Sequence, residues 1–263
     1  YVGIAAFLGL AVLSLLYFTN SFGAALGVLV SGFLLIEKVG LPGTVMTAGL
    51  LNIALAGIVW ALVKNEEEPP PVAAAAPAAK SAAKPRWFLW AAFLTGAASF
   101  MYEIGWIRML SLVLGSSTHA FELMLSAFIF GLAFGGLWMR KRIERVSDPA
   151  RYLGYVMVVM GACALLTVPG YSSTFDVMAW AIGTFEPTRG GYAAFHVTSQ
   201  TIALLVMVPT TFCAGMTLPL LTNALMQRAG GERAIGAVYA ANTAGAIVGV
   251  LLAVHVLMPL VGT

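Results

Sequence analysis

The sequence predicts an all-α integral membrane protein, and three observations support that fold class. Apolar residues make up 60% of the 263 residues and charged residues only 10%, which gives a mean hydropathy of +0.91. A water-soluble domain of this length does not need so much apolar surface. The apolar residues fall in stretches of about 20, the length with which a helix crosses the hydrocarbon of a bilayer. A phrase near the start also returns near the end, which predicts a repeated helical unit.

About eight transmembrane helices are predicted, at 1–16, 18–36, 41–63, 87–113, 118–139, 151–169, 194–226 and 235–258. We place a break at residues 18–20, because a continuous helix over both of the first two segments would run about 54 Å, too long for one crossing. In the seventh segment, Pro209 and Pro219 enclose Gly215 and Thr217. These residues predict a kinked or broken helix.

A Pro/Ala-rich linker divides the chain. Residues 64–86 contain five prolines and a run of alanines, and their one larger apolar residue is a valine. Such a composition cannot form a packed core and is typical of an extended or disordered linker. It separates a three-helix membrane segment, 1–63, from a five-helix membrane domain, 87–263.

The repeated phrase aligns 17–40 with 239–262, and we call the displacement that takes Tyr17 to Tyr239 the repeat offset. Of the 24 aligned positions, 10 are identical, including Asn20/Asn242. We therefore predict that 18–40 is equivalent to 240–262. In this interpretation 1–63 is the end of a first unit, and 87–263 is a second unit truncated at its end. If the units are of equal length, about 130 residues precede this chain in a longer polypeptide.

The basic residues predict the orientation. Residues 140–151 carry five Lys or Arg and residues 227–233 carry two Arg, and the linker is basic towards its end. The positive-inside rule places all three segments, including linker 64–86 and loop 140–151, in the cytoplasm. Eight spans then put both ends of the chain outside. The opposite loop, 170–193, is rich in aromatic residues and is predicted to lie along the outer interface.

Four polar residues within the spans are candidate site residues: Glu103, Arg108, Glu122 and Asn242. A charge in hydrocarbon needs a partner or water. Arg108 and Glu122 are about equally distant from the turn of a predicted hairpin, so an ion pair between them is the preferred interpretation. Glu103 is deeper and is expected to bond polar groups such as Thr217 or Asn242 on neighbouring spans.

Two sharper hypotheses involve the same acidic residues. Glu103 and Glu122 could together bind a cation such as a polyamine, or relay protons. His119 and Glu122, three residues apart, could supply two metal ligands, but no second cluster has suitable spacing, and we predict no metal site. His196 and His255 stand alone in the sequence and are interpreted as packing residues.

Glycines one helical turn apart recur in the apolar segments, and they allow helix backbones to approach closely in lipid. The helix-packing candidates are Gly23, Gly27, Gly131, Gly135, Gly245 and Gly249. The chain contains no nucleophile–His–Asp set and no glycine-rich loop after a strand, so we identify no catalytic site and no cofactor site in it. The net charge of +3 is too small to indicate nucleic acid as a partner.

Four phrases together resemble a known family. They are FMYEIGWIRMLSLVLGSSTHA (100–120), FIFGLAFGGLWMRKRIE (128–144), PTTFCAGMTLPLL (209–221) and VYAANTAGAIVGVLL (238–252). They are similar to the multi-pass membrane portion of bacterial spermidine-synthase-like proteins. The resemblance implies a helical domain in a bacterial cytoplasmic membrane, joined to a cytoplasmic domain that transfers an aminopropyl group from decarboxylated S-adenosylmethionine to putrescine. That catalytic domain has no counterpart in this chain.

Three functions follow as expectations. The first is a membrane module that anchors or regulates a cytoplasmic aminopropyltransferase-type domain. The second is a non-catalytic integral subunit of a larger membrane complex. The third is a transporter-like domain for polyamines or other cations. The expected partners are the lipid bilayer, other membrane subunits and a cytoplasmic catalytic domain.

Overall fold

The protein is a bundle of long helices, as its composition predicts. The computed structural model describes residues 2–64, 86–229 and 233–262, so most of the predicted linker lies outside the described residues. Within those ranges there is no strand. The α-helices are α1 (Val2–Val30), α2 (Ile36–Val63), α3 (Arg86–Leu114), α4 (Thr118–Arg140), α5 (Pro149–Thr184), α6 (Arg189–Ala229), α7 (Arg233–Leu252) and α8 (Met258–Val261). Two π-helical segments, Ser31–Leu35 and Ala253–Leu257, and a 3₁₀ turn, Ile143–Arg145, complete the secondary structure of this part.

The described residues are all-helical, as predicted, and six of their helical stretches are long and apolar enough to cross a membrane. The predicted break at residues 18–20 is wrong, because α1 runs through it without interruption. At the predicted break, the Thr19 hydroxyl donates to the Leu15 carbonyl of the preceding helical turn (3.0 Å). The first stretch, Leu15–Val63, is instead interrupted at Gly40 (φ 67°, ψ 179°), a backbone conformation that favours glycine.

Helices α5 and α6 are longer than predicted, and the predicted outer loop 170–193 is wrong. Helix α5 continues to Thr184 and α6 begins at Arg189. The aromatic residues that suggested an interface loop are exposed on helices, Phe175 and Trp180 on α5 and Tyr192 on α6, whereas Met178 and Ala181 of α5 are buried. The Tyr171 hydroxyl also donates to the Met109 carbonyl of α3 (2.7 Å).

Helix α6 is not broken between its two prolines. It is α-helical over its whole length, with Pro209 and Pro219 inside. A proline in a transmembrane helix is tolerated when hydroxyl groups and neighbouring helices satisfy the freed backbone groups. Hydroxyls near the prolines do bond the helix backbone, Thr211 to the Met207 carbonyl (2.9 Å) and Thr217 to the Ala214 carbonyl (2.7 Å), but these are not the two carbonyls that the prolines leave without a donor.

Side chains cap the start of α4, which follows the α3–α4 turn, and the start of α5, which lies at the end of the basic loop 140–151. The Ser117 hydroxyl accepts from the Ala120 N–H (3.1 Å) at the start of α4. The Asp148 carboxylate accepts from the Ala150 and Arg151 N–H groups, both at 3.1 Å, at the start of α5. Such caps satisfy backbone donors that a helix leaves free. The α3–α4 hairpin agrees with the predicted segments to within one residue.

Helix α1 packs antiparallel against α4. The Tyr17 ring lies 3.0 Å from the position that a Cβ on Gly136 would take, whereas Gly32, near the other end of α1, lies against Glu122. The start of α1 therefore lies on the side of the basic loop that follows α4. This contradicts the expectation that the start of the chain and this loop lie on opposite sides. The expectation was wrong because it counted two spans where α1 forms one helix.

Helices α3 and α7 cross in parallel at a glycine contact. A Cβ on Gly245 would overlap the Phe93 carbonyl, and one on Gly96 would overlap the Asn242 carbonyl. Gly249, one turn further, lies against the Ala97 carbonyl in the same way. The predicted packing role of Gly245 and Gly249 is therefore confirmed. Close approach of backbones without side chains is how helices associate in lipid.

A second parallel crossing joins α4 and α6. A Cβ on Gly135 would overlap the Phe212 carbonyl, and one on Gly215 would overlap the Leu132 carbonyl. Gly131 lies against the Thr211 side chain. These contacts confirm the predicted packing role of Gly131 and Gly135, and α4 makes its most extensive contacts with α6. The buried hydrophobic residues form two clusters in the helix bundle, around Leu220 and around Met124.

Two features of the backbone recur at the repeat offset. The π-helical segment Ser31–Leu35 has its counterpart in Ala253–Leu257, since the offset takes position 31 to position 253. The same offset takes Gly40 to Gly262, which has φ 89° and ψ −177°, close to the values at Gly40. Within the described chain, α2 packs mainly against the π-helical segment that precedes it, and none of its residues is buried.

Candidate functional site

A buried carboxylate inside the membrane-spanning bundle is the centre of the candidate site. Glu122, in the second turn of α4, is 8% exposed. His119 lies one turn earlier, and its Nδ1 is 3.1 Å from Glu122 Oε2. Residues three apart face the same side of a helix, so the local sequence alone brings these two groups together. The imidazole gives the carboxylate the partner that its burial requires.

Two other elements complete the site. His196 of α6 has its ring centroid 5.5 Å from that of His119. The Phe33 ring, from the π-helical segment after α1, stacks on His119 (4.8 Å) and meets His196 edge to face (5.2 Å). Gly32 leaves room for the Glu122 carboxylate, which a side chain there would overlap. We call His119, Glu122 and His196 the His–Glu cluster.

Polar atoms without hydrogen-bond partners lie within this cluster and next to it. Both ring nitrogens of His196 are buried without a hydrogen-bond partner, as is the Gln200 Oε1 one turn further along α6. The Gln200 amide donates to the Ser126 hydroxyl of α4 (3.4 Å). Buried polar atoms in proteins normally have a partner, and water or an ion supplies one where the protein does not.

The chemistry available to this cluster is proton exchange and cation recognition. A carboxylate accepts hydrogen bonds, and an imidazole both donates and accepts according to its tautomer. Within the part of the chain that the structure describes, no three His, Cys, Asp or Glu side chains are arranged to hold a metal ion. Ionisable groups within membrane spans commonly mark proton relays and ion pathways.

The predicted Arg108–Glu122 ion pair is not formed. Arg108 is exposed, and the ion pair found among the described residues is the one between His119 and Glu122. Equal distance from the hairpin turn set the depth of the two side chains but not their direction around each helix. Helix α4 turns its packed face to α6 and α1, whereas α3 packs mainly against α7.

Glu103 lies on α3, apart from the His–Glu cluster. It is half-buried, and no hydrogen bond or ion pair joins it to Glu122, Thr217 or Asn242 in the described ranges. Nearby on α3, the Trp106 indole donates to the Thr167 hydroxyl of α5 (3.1 Å). Asn242 sits at the α3–α7 crossing, where its Oδ1 is 3.0 Å from the Cβ position of Gly96. The four polar candidates therefore do not form one site.

The glycine candidates divide into two groups. Gly131, Gly135, Gly245 and Gly249 lie in the crossings described above, whereas Gly23 and Gly27 have nothing within 4 Å of their Cβ positions. The prediction that Gly23 and Gly27 pack like Gly245 and Gly249 is therefore wrong within this chain. None of the described helices packs against Gly23 and Gly27.

The sequence did not indicate the contribution of His196. It is distant from His119 along the chain, and the parallel packing of α4 and α6 brings the two rings together. A periodic signal did exist, since Tyr192, His196 and Gln200 are four residues apart on one face of α6. Comparison of the chain with protein-family models, curated proteins and solved structures found no match.

Proposed function

We propose that this chain is the membrane module of a larger spermidine-synthase-like protein, where it anchors or regulates a cytoplasmic aminopropyltransferase-type domain. The observation that carries the proposal is the position of the four phrases behind the resemblance. Three of the four contain glycines of the parallel crossings: Gly135 and Gly215 at the α4–α6 crossing, and Gly245 and Gly249 on the α7 side of the α3–α7 crossing. The resemblance therefore concerns residues that hold the bundle together.

The proposal includes two related helical units in the chain. Helix α1 with the following π-helical segment corresponds to α7 with its own, and Gly40 corresponds to Gly262. The sequence identities, the π-helical segments and these two positive-φ glycines all support the same repeat offset. A π-helical segment requires an additional residue in its turn and is uncommon, so its recurrence at one spacing favours a shared origin.

The basic segments set the proposed orientation in a bacterial cytoplasmic membrane. Loop 140–151, the linker 64–86 and the start of α1 face the cytoplasm. Helices α3 and α7 then run outwards and α4 and α6 run inwards. A catalytic domain attached on the cytoplasmic side would meet the soluble substrates of the reaction.

Purification of the native protein tests the proposed activity. The encoding gene is tagged in its own host, and the protein is purified from membranes in mild detergent. We expect the preparation to form spermidine from putrescine and decarboxylated S-adenosylmethionine, and a preparation from an untagged strain to form none. A purified, folded protein without this activity would contradict the proposal and favour a non-catalytic subunit of a membrane complex.

The His–Glu cluster favours a second candidate, a transporter-like domain for polyamines or other cations. Its supporting observation is a carboxylate that is buried in the bundle beside two imidazoles, one of them without a hydrogen-bond partner. The chain in proteoliposomes should then accumulate labelled spermidine, and Glu122→Gln should abolish the uptake. Uptake equal to that of empty vesicles would exclude this function.

A further inference from the structure

Helix α1 carries a face of polar and small residues that no helix of the described chain covers. Gly23 and Gly27 follow Asn20 by three and seven residues, so all three lie on one side of α1. All three are exposed, and the Cβ positions of both glycines have nothing within 4 Å. We call these residues the Asn–Gly face.

The depth of Asn20 makes lipid a poor neighbour for this face. The flanking rings of Phe18 and Phe22 contact Phe134 (5.6 Å) and Phe130 (6.5 Å), so Asn20 lies level with the interior of α4. Its amide has no hydrogen-bond partner in the described ranges. An amide without a partner in hydrocarbon is costly, and such side chains normally bond across a helix interface.

The counterpart of this face on α7 is covered. The repeat offset relates Asn20, Gly23 and Gly27 to Asn242, Gly245 and Gly249. All three counterparts contact α3: Asn242 meets Gly96, and the two glycines meet the carbonyls of Phe93 and Ala97. The same residue types at the same spacing thus already bind a helix in this molecule.

We propose that the Asn–Gly face of α1 binds a transmembrane helix of the α3 type, which is the counterpart of α3 in the first unit. Such a helix runs parallel to α1, carries a small residue opposite Asn20 and presents backbone carbonyl oxygens to Gly23 and Gly27, as α3 does to α7. This inference rests on the two-unit arrangement proposed above. A second copy of the chain is a poor occupant, because the matching face of its α3 is already covered by α7.

A synthetic peptide with the sequence of residues 86–114 serves as the probe for this face. The peptide carries a fluorophore at its N-terminus, and the full chain is titrated into it in detergent micelles while fluorescence anisotropy is recorded. We expect saturable binding. The chain with Gly23→Leu and Gly27→Leu should bind about tenfold or more weakly, since two large side chains prevent backbone contact.

Two controls make the result specific. The chain with Gly49→Leu and Gly57→Leu changes two exposed glycines of α2 that also have nothing within 4 Å, and it should bind like the unchanged chain. A peptide with Gly96→Leu should not bind.

Three results would overturn the proposal. One is the absence of peptide binding to the folded chain. Another is equal binding by the Gly23→Leu, Gly27→Leu chain, which would mean exchange with the resident α3 or a site elsewhere. The third is self-association of the chain that the same double substitution abolishes, since the occupant would then be a second copy. Aminopropyl transfer is measured without the peptide, so failure of that assay and failure of this one are distinguishable.

Discussion

At Gly32 the missing side chain makes room for the Glu122 carboxylate, and the contact is too close for a Cβ. We predict that Gly32→Leu destabilises the folded chain by about 1–3 kcal/mol, because either α1 or the His119–Glu122 pair must shift. Thermal unfolding in detergent measures the loss. Gly57→Leu on α2, where nothing lies within 4 Å, is the control and should unfold at the same temperature as the unchanged chain. Equal stability of Gly32→Leu would show that α1 does not pack here.

The His119–Glu122 pair should behave as a coupled unit. His119→Ala leaves a buried carboxylate without its partner, whereas Glu122→Gln removes the charge that needs one. We therefore predict non-additive stability changes, with a coupling of about 0.5–3 kcal/mol in a double-mutant cycle followed by thermal unfolding. The matched cycle of Arg108→Ala with Glu122→Gln should be additive, because Arg108 is exposed and pairs with neither residue. Coupling in the Arg108 cycle alone would restore the ion pair that the sequence first suggested.

Individual polar residues were the least predictable part of the site. The spacing of His119 and Glu122 did indicate proximity, since three residues along a helix place two groups on one face. The predicted pair of Arg108 with Glu122 was wrong because it rested on depth in the membrane alone, and depth does not determine the direction in which a side chain leaves its helix. His196 had no local signal that linked it to α4, because its neighbour depends on which helices pack in parallel.

At the level of helices, Gly23 of α1 and Gly245 of α7 are related by the repeat offset, but Gly245 is covered by α3 and Gly23 is not covered. The same substitution should therefore have different effects on stability at the two positions. We predict that Gly245→Leu strongly destabilises the chain, by about 1–3 kcal/mol or more, because the Phe93 carbonyl in its way belongs to the backbone and cannot move aside. Gly23→Leu, the same substitution at the equivalent position of α1, should have almost no effect on the chain alone. Thermal unfolding of both variants tests this. Similar losses for the two would show that the α1 face is covered within the chain.

The sequence predicted well that the helices exist. It predicted their ends only where a turn residue or a cap marks them. The α3–α4 hairpin was predicted to within one residue, since Gly115 and Ser117 mark its turn. The end of α5 was predicted too early because Pro169 and Gly170 resemble a stop signal. Neighbouring hydroxyls and the contact with α6 support the helix beyond them.

For the whole molecule, the side of the membrane on which each loop lies is a direct test of orientation. In a chain with Cys163→Ala and Cys213→Ala, we predict that Ser147→Cys resists a membrane-impermeant thiol reagent in intact cells. Ser116→Cys, in the α3–α4 turn on the opposite side, should react readily. Both should react in opened membranes. The reverse pattern in intact cells would invert the proposed orientation.

Fold class was predictable for the whole chain because it depends on composition, which is a sum over all residues. The pairing of helices was not, because α3 and α7 are distant in sequence and their contact depends on single glycines. Helix number lies between these cases. The length of an apolar stretch does not show whether the helix breaks or extends beyond the bilayer, so it does not fix the number of crossings.

The parallel contact of α3 with α7 also constrains the order in which the helices assemble during synthesis. Gly249 is made long after its partner residue Ala97, and a ribosome needs on the order of ten to thirty seconds to synthesise the chain between them. During that interval α1 is already in the membrane, runs in the same direction as α3 and carries the same Asn–Gly pattern. For this chain synthesised without a first-unit counterpart of α3, we predict that nascent chains arrested before α7 form a disulfide between cysteines placed at Gly27 and Ala97, and that released full-length chains do not. Biogenesis of this protein would then proceed through an exchange, in which the last helix displaces the first from a place that it held temporarily.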